Sequence, residues 1–173
     1  NDDFKPHLEL FKHALDLASI LDSEYIRMFS FYIPQNESPD IYEDKVISRW
    51  NAFIEVAKDY NVTLLHENEK GIYGDTPERC LKLFETLNTR KVGMTFDPAN
   101  FVQCDVETHP YAFDMLKDYI SYMHIKDALY SNHQVVPAGH GNAHIEELLL
   151  ALDALGYDGF LSIEPHLGSF TGL

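Results

Sequence analysis

The chain has 173 residues, 45% of them apolar, and a formal net charge of −15 from 13 basic and 28 acidic side chains. That is enough chain for one domain with a sizeable core. The acidic field repels phosphate backbones, which excludes bulk nucleic acid as a tight partner short of a local basic patch or a bound metal, but leaves small sugars and sugar phosphates open.

Residues 6–22 carry Leu8, Phe11, Leu15, Ala18 and Leu21 at helical spacing. Residues 25–33, YIRMFSFYI, predict a strand that Pro34 ends, followed by a Pro/Asn/Ser/Asp loop. A helix is predicted over 42–60, with Val46, Ile47, Trp50, Phe53, Ile54 and Ala57 on one face. VTLLH (62–66) reads as a buried strand running into Glu67. Thr76-Pro77-Glu78 is a helix start: a hydroxyl cap, Pro at the first helical position, and an acid near the positive end. Cys80, Leu81, Phe84 and Leu87 form that helix's inner face. KVGMTF (91–96) is the next strand, running into Asp97. Pro110 opens a helix with Phe113 and Leu116 inward, and YISYMHI (119–125) is a strand before Lys126-Asp127. After a loop over 128–142 containing Gly139 and Gly141, Asn142 caps a helix with Ile145, Leu148, Leu149, Leu152 and Leu155, which Gly156 ends. GFLSIE (159–164) is the last strand.

Five short apolar strands alternating with five amphipathic helices predict an α/β fold with a parallel sheet. Doubly wound and barrel arrangements are both open at this level. No apolar run approaches the ~20 residues of a membrane span. No signal-peptide pattern opens the chain, which begins in a polar stretch without Met. Cys80 and Cys104 lack CxxC spacing, so they read as free thiols of a reducing compartment. Cytoplasm is the expected location.

The chemistry sits where the strands stop. VTLLHE ends on Glu67, VGMTFD on Asp97, YMHIKD carries His124 near its end, and FLSIE ends on Glu164. An acid at a strand end is often only a loop cap, and a single histidine is often a satisfied core residue. Four successive strands each delivering a metal-capable group make that bland account a poor one. In a parallel sheet those ends share one edge, and in a closed barrel they converge on the axis. Three carboxylates and an imidazole suit one divalent ion such as Mn, Mg, Co or Zn.

LLHENE (64–69), VGMTFDPANF (92–101), YMHIKD (122–127), VPAGHGNAHIEELLLAL (136–152) and GYDGFLSIEPH (156–166) resemble the xylose isomerase-like TIM barrels. That family includes sugar phosphate isomerases/epimerases and ketose 3-epimerases. The resemblance implies a (β/α)8 TIM barrel that is incomplete here, with strands four to eight present and the first three strands and last helix missing. Residues 1–173 are then one partial domain. It implies a metal on Glu67, Asp97, His124 and Glu164, and a metal-dependent isomerase or epimerase of a small sugar or sugar phosphate. Proton transfer would pass through an enediolate, with Glu67 and Glu164 as catalytic acid and base. Several members carry histidine three residues after the aspartate, where this chain has Asn100.

Substrate contacts are expected from Arg27, Asn68, Asn100, Lys126 and His166. Glu69 stands beside Asn68 as a pocket candidate. His66 is expected to point away from the site, His140 and His144 to lie on the surface, and Trp50 to pack in the core. Three rivals remain: a dehydratase of a sugar-derived substrate, an endonuclease IV-like zinc phosphodiesterase, and a metal- or sugar-binding barrel without turnover. The excess of acid over base fits the second poorly. Neither nucleic acid nor a membrane is an expected partner. Five strands do not close a barrel that takes ~250 residues, so unpaired sheet edges are expected at 25–33 and 159–164. Either the chain is part of a longer polypeptide or a second copy, as a homo-oligomer, covers the gap.

Overall fold

A computed structural model describes residues 4–164. Seven strands follow in chain order: β1 (Tyr25–Met28), β2 (Thr63–Glu67), β3 (Val92–Phe96), β4 (Ile120–Ile125), β5 (Asp127–Ala128), β6 (Val135–Val136) and β7 (Phe160–Ile163). The helices are α1 (Lys5–Ile20), α2 (Glu43–Ala57), α3 (Pro77–Leu87), α4 (Pro98–Val102), α5 (Phe113–Leu116) and α6 (Ile145–Ala154). β1, β2, β3, β4 and β7 form one sheet in that order, every pair parallel. β5 and β6 make a small antiparallel pair. Among the described residues β1 and β7 are the sheet edges, each paired on one side only.

Strand alternation sorts the side chains onto two faces. Leu64, Met94, Phe96 and Met123 turn outward into a core shared with the helices. Into it α1 sends Phe11, Leu15 and Ala18, α2 sends Val46, Trp50, Phe53 and Ala57, and α3 sends Cys80, Leu83, Phe84 and Leu87. Each large side chain buried this way contributes roughly 1.5–3 kcal/mol. Tyr25, Arg27, Leu65, Thr95, Tyr122 and His124 take the opposite face and line a cleft of about 590 Å³.

The sheet is curled. On a flat sheet β1 and β7 would stand about 19 Å apart. Instead Arg27 Nη1 of β1 comes within 3.9 Å of Glu164 Oε1, just past β7, and the Tyr25 and Phe160 rings meet at 6.2 Å. Edge strands that touch across the concave face make the sheet an arc of barrel wall, with helices outside.

Several predicted details change. The first strand stops at Met28, because Phe31 takes φ 70° and turns the chain; Tyr32 then makes one antiparallel bridge to Ile72. Thr76 precedes α3 without a side-chain capping bond. Around Pro110 the chain makes a wide π-type turn over Thr108–Ala112, and the α-helix proper begins at Phe113. Asn142 does not cap α6: its Oδ1 accepts from the Tyr130 N–H, and His144, at φ 54°, leads into Ile145. Leu21 and Leu155 are exposed rather than inward. Leu10, Leu17 and Ile20 of α1 and Leu161 and Ile163 of β7 are also exposed, so both edges of the arc are apolar. Among the described residues no helix is long and apolar enough to cross a membrane.

Candidate metal centre

Parallel pairing brings the ends of β2, β3, β4 and β7 to one edge, and the curl brings their side chains together. Glu67, Asp97, His124 and Glu164 each offer a ligand atom, all within 4.8 Å of one another. His124 Nδ1 is the hub: 3.2 Å from Glu67 Oε1, 3.3 Å from Asp97 Oδ2 and 3.6 Å from Glu164 Oε2. Ligands around one ion at ~2.1 Å stand about 3–4 Å apart. The three distances from His124 have that spacing, and the donors have the oxygen/nitrogen mix of a divalent site, so the cluster can hold a metal.

Local structure fixes each member. Asp97 ends β3 and caps α4: its Oδ1 accepts the Asn100 N–H at 2.9 Å, which leaves Oδ2 for the cluster. Asn68 extends the β2–β3 ladder with its side chain. Its Nδ2 donates to the Asp97 carbonyl at 2.8 Å and its Oδ1 accepts the Asp97 N–H at 2.9 Å. Asn100 Nδ2 donates to the Asn68 carbonyl at 2.9 Å and more weakly to Glu67 Oε1 at 3.3 Å. Two cations flank the carboxylates. Arg27 Nη1 donates to Glu67 Oε2 at 2.7 Å. Lys126 Nζ donates to Asn100 Oδ1 at 2.9 Å, Glu164 Oε2 at 3.1 Å and Asp97 Oδ2 at 3.2 Å.

Glu67 and Asp97 are fully buried, Glu164 is 24% exposed, and Arg27 is half exposed. Burial works against charging His124, but hydrogen bonds to Asp97 and Glu67 outweigh it and hold the imidazole up to about 9. Burial likewise opposes the charge on Lys126. The charges of Asp97 and Glu164 more than offset this, and its pKa is raised. Burial pushes the neighbouring Glu69 carboxyl up.

Of the sequence-derived candidates, Glu67, Asn68, Asp97, Asn100, His124, Lys126 and Glu164 come together here, with Arg27 at the rim. His166 lies outside the described residues. His66 points the other way, as β-alternation requires. It is buried against Trp50 and bonded to Ser30 Oγ at 2.9 Å, and burial pushes it down to about 3, so it stays neutral. Glu69 accepts weakly from Asn100 at 3.4 Å. His140 and His144 are exposed, and Trp50 is in the core.

One residue escaped the sequence reading. Asp127 follows Lys126 but faces away from the cluster, and its buried carboxylate accepts four backbone N–H groups. Oδ1 takes Ala128 and Ala143 at 2.9 Å; Oδ2 takes Gly139 at 2.9 Å and Gly141 at 2.8 Å. The loop over 128–143 is wound around this one side chain. A Cβ on Gly141 would lie 2.2 Å from Asp127 Oδ1 and 2.5 Å from the Ala128 carbonyl oxygen. Gly141→Ala therefore expels the carboxylate or lifts the loop, at a local cost of about 2–3 kcal/mol from charged hydrogen bonds. Amide hydrogen exchange at Gly139 and Ala143 should speed at least tenfold; unchanged protection would show that the loop holds without Asp127.

A curled parallel sheet with helices outside and a polar cluster at the C-terminal ends of its strands defines a barrel of the (β/α) class. The family model described as Xylose isomerase-like TIM barrel matches residues 2–169, and the chain belongs to that family. It is 29% identical over 171 residues to an uncharacterized protein of Methanocaldococcus jannaschii, covering 91% of this chain and 56% of that protein. It is 26% identical over 148 residues to a probable L-ribulose-5-phosphate 3-epimerase of Mycoplasma pneumoniae, covering 84% of this chain and 47% of that protein. A solved structure of a D-tagatose 3-epimerase-like protein superposes with a TM-score of 0.80 at 28% identity, covering 92% of this chain and 62% of that one. The chain thus spans about half the length of the curated relatives it matches, as an arc of five strands from a partial TIM barrel.

Proposed function

We propose that this chain carries strands four to eight of one barrel domain. In our reading the whole protein is a metal-dependent isomerase or epimerase of a small sugar or sugar phosphate. The observation that carries it is the convergence of Glu67, Asp97, His124 and Glu164 from four neighbouring strand ends to within 4.8 Å. The names of the Mycoplasma relative and of the tagatose epimerase-like structure support the substrate class.

Glu67, Asp97, His124 and Glu164 would hold the divalent ion, which would supply Lewis acidity toward the substrate carbonyl. The protein's own groups do the rest. Glu67 and Glu164, reaching the centre from strands on either side of β3 and β4, take the proton beside the carbonyl and return it. Arg27 holds Glu67 by one oxygen and leaves the other facing the centre. Asp97 is pinned by Asn68 and Asn100 and serves as ligand. Lys126, Asn68 and Asn100 already donate within the cluster, so each would meet a substrate hydroxyl by exchanging one of those bonds, and the half-exposed Arg27 meets a charged substituent at the rim.

The test is turnover of the intact protein on a panel of ketoses and ketose phosphates. Activity should disappear on chelation and return with Mn, Mg, Co or Zn. Full turnover after exhaustive chelation would refute this reading.

A further inference from the structure

Lys126 is engaged in a way that substrate binding does not explain. Lys126 is only 5% exposed, and its ammonium donates to Asp97 Oδ2 and Glu164 Oε2. Those are the same two oxygens that face His124 Nδ1. Three carboxylates converge here, and the other fixed cation, Arg27, is half exposed and reaches Glu67 most closely. Lys126 is therefore a buried countercharge shared by Asp97 and Glu164. The geometry points to a second role for it: Lys126 stabilises the metal-free ligand set and lowers the centre's affinity for its ion, so that the ion is held exchangeably.

This rests on the metal reading above. Two effects act in one direction. Without Lys126, Asp97 and Glu164 both lose an ammonium held at 3.1–3.2 Å, which destabilises the state with no ion bound. With an ion bound, a fixed positive charge a few ångströms away repels it, and that repulsion is also lost. The opposing effect would be lost preorganisation. It is small for Asp97, which is held independently by the Asn100 N–H and by both atoms of the Asn68 amide. Glu164 keeps its backbone tie to the Ile125 carbonyl at 3.3 Å.

The experiment titrates Mn2+ alone into the metal-stripped intact protein by calorimetry, for the wild type, Lys126→Met, Lys126→Gln and Lys126→Arg. Lys126→Gln retains a donor toward Asn100 and Asp97, and covers the case in which the methionine variant does not fold. Either neutral variant should bind Mn2+ at least tenfold more tightly than wild type, while Lys126→Arg stays within about threefold. Unchanged or weaker binding in a folded neutral variant overturns the inference and leaves the metal reading standing. A wild-type protein that binds no Mn2+ overturns both.

Discussion

Glu164→Gln in the intact protein should reduce turnover at least ~10³-fold, and Glu67→Gln nearly as much, with the fold retained. Each change removes an anionic ligand and a proton-transfer group together, and general acid–base catalysis alone is worth about 10²–10⁴. Shape is nearly conserved, so the loss reports charge and proton transfer rather than packing. The two variants should differ in detail. Glu67 is buried, and its charge is matched by Arg27 at 2.7 Å; Glu164 sits at the partly open side of the cleft. Arg27, half exposed, is solvated when Glu67 is neutralised, so melting temperature should stay within a few degrees. Turnover rates beside thermal melts decide the matter. More than a tenth of wild-type activity in either variant would mean that its glutamate is not the acid or base.

Trp50→Ala should be the costliest core substitution, destabilising the protein by about 3–5 kcal/mol. The indole is fully buried on α2, edge-on to Phe53 and to the outward-facing His66 of β2. Removing it opens a void behind the strand that carries Glu67. For a chain of this size the melting temperature should fall by about 10 °C or more. Trp50→Phe should recover most of that loss, because the buried indole N–H finds no partner among the described residues and its removal costs no hydrogen bond there. A Trp50→Ala penalty below about 1 kcal/mol would show that the α2–β2 interface repacks freely.

The alternation of strands and helices was legible because it depends on local pattern. Runs such as VTLLH and VGMTF are short, apolar and bounded, and parallel strands covered on both faces leave that signature. Boundaries were less legible where backbone torsion overrules composition. YIRMFSFYI looks like one strand, yet Phe31 adopts a left-handed φ that its aromatic side chain gives no reason to expect. Leu21 fits the helical stripe of Phe11, Leu15 and Ala18 but falls past the end of α1, on an uncovered edge. The meeting of Glu67, Asp97, His124 and Glu164 could be anticipated from their shared place at strand ends. Their spacing could not, since it depends on how far the sheet curls. Asp127 was invisible for a different reason: three of its four partners are backbone amides 12 to 16 residues further on. Gly139 and Gly141 were the only trace of that arrangement in the sequence.

The curl of the sheet has a mechanical consequence. Arg27 and Glu164 stand just inside opposite edges of the arc, and each also reaches the central cluster. Tyr25 and Phe160 touch across the same gap at a second level. Among the described residues the two edges of the arc are therefore drawn toward each other by charge. Widening the arc pulls Glu164 away from His124 and Lys126, and drawing those groups together tightens the arc. The spacing of the ligands and the curl of the sheet are thus geometrically linked through Glu164.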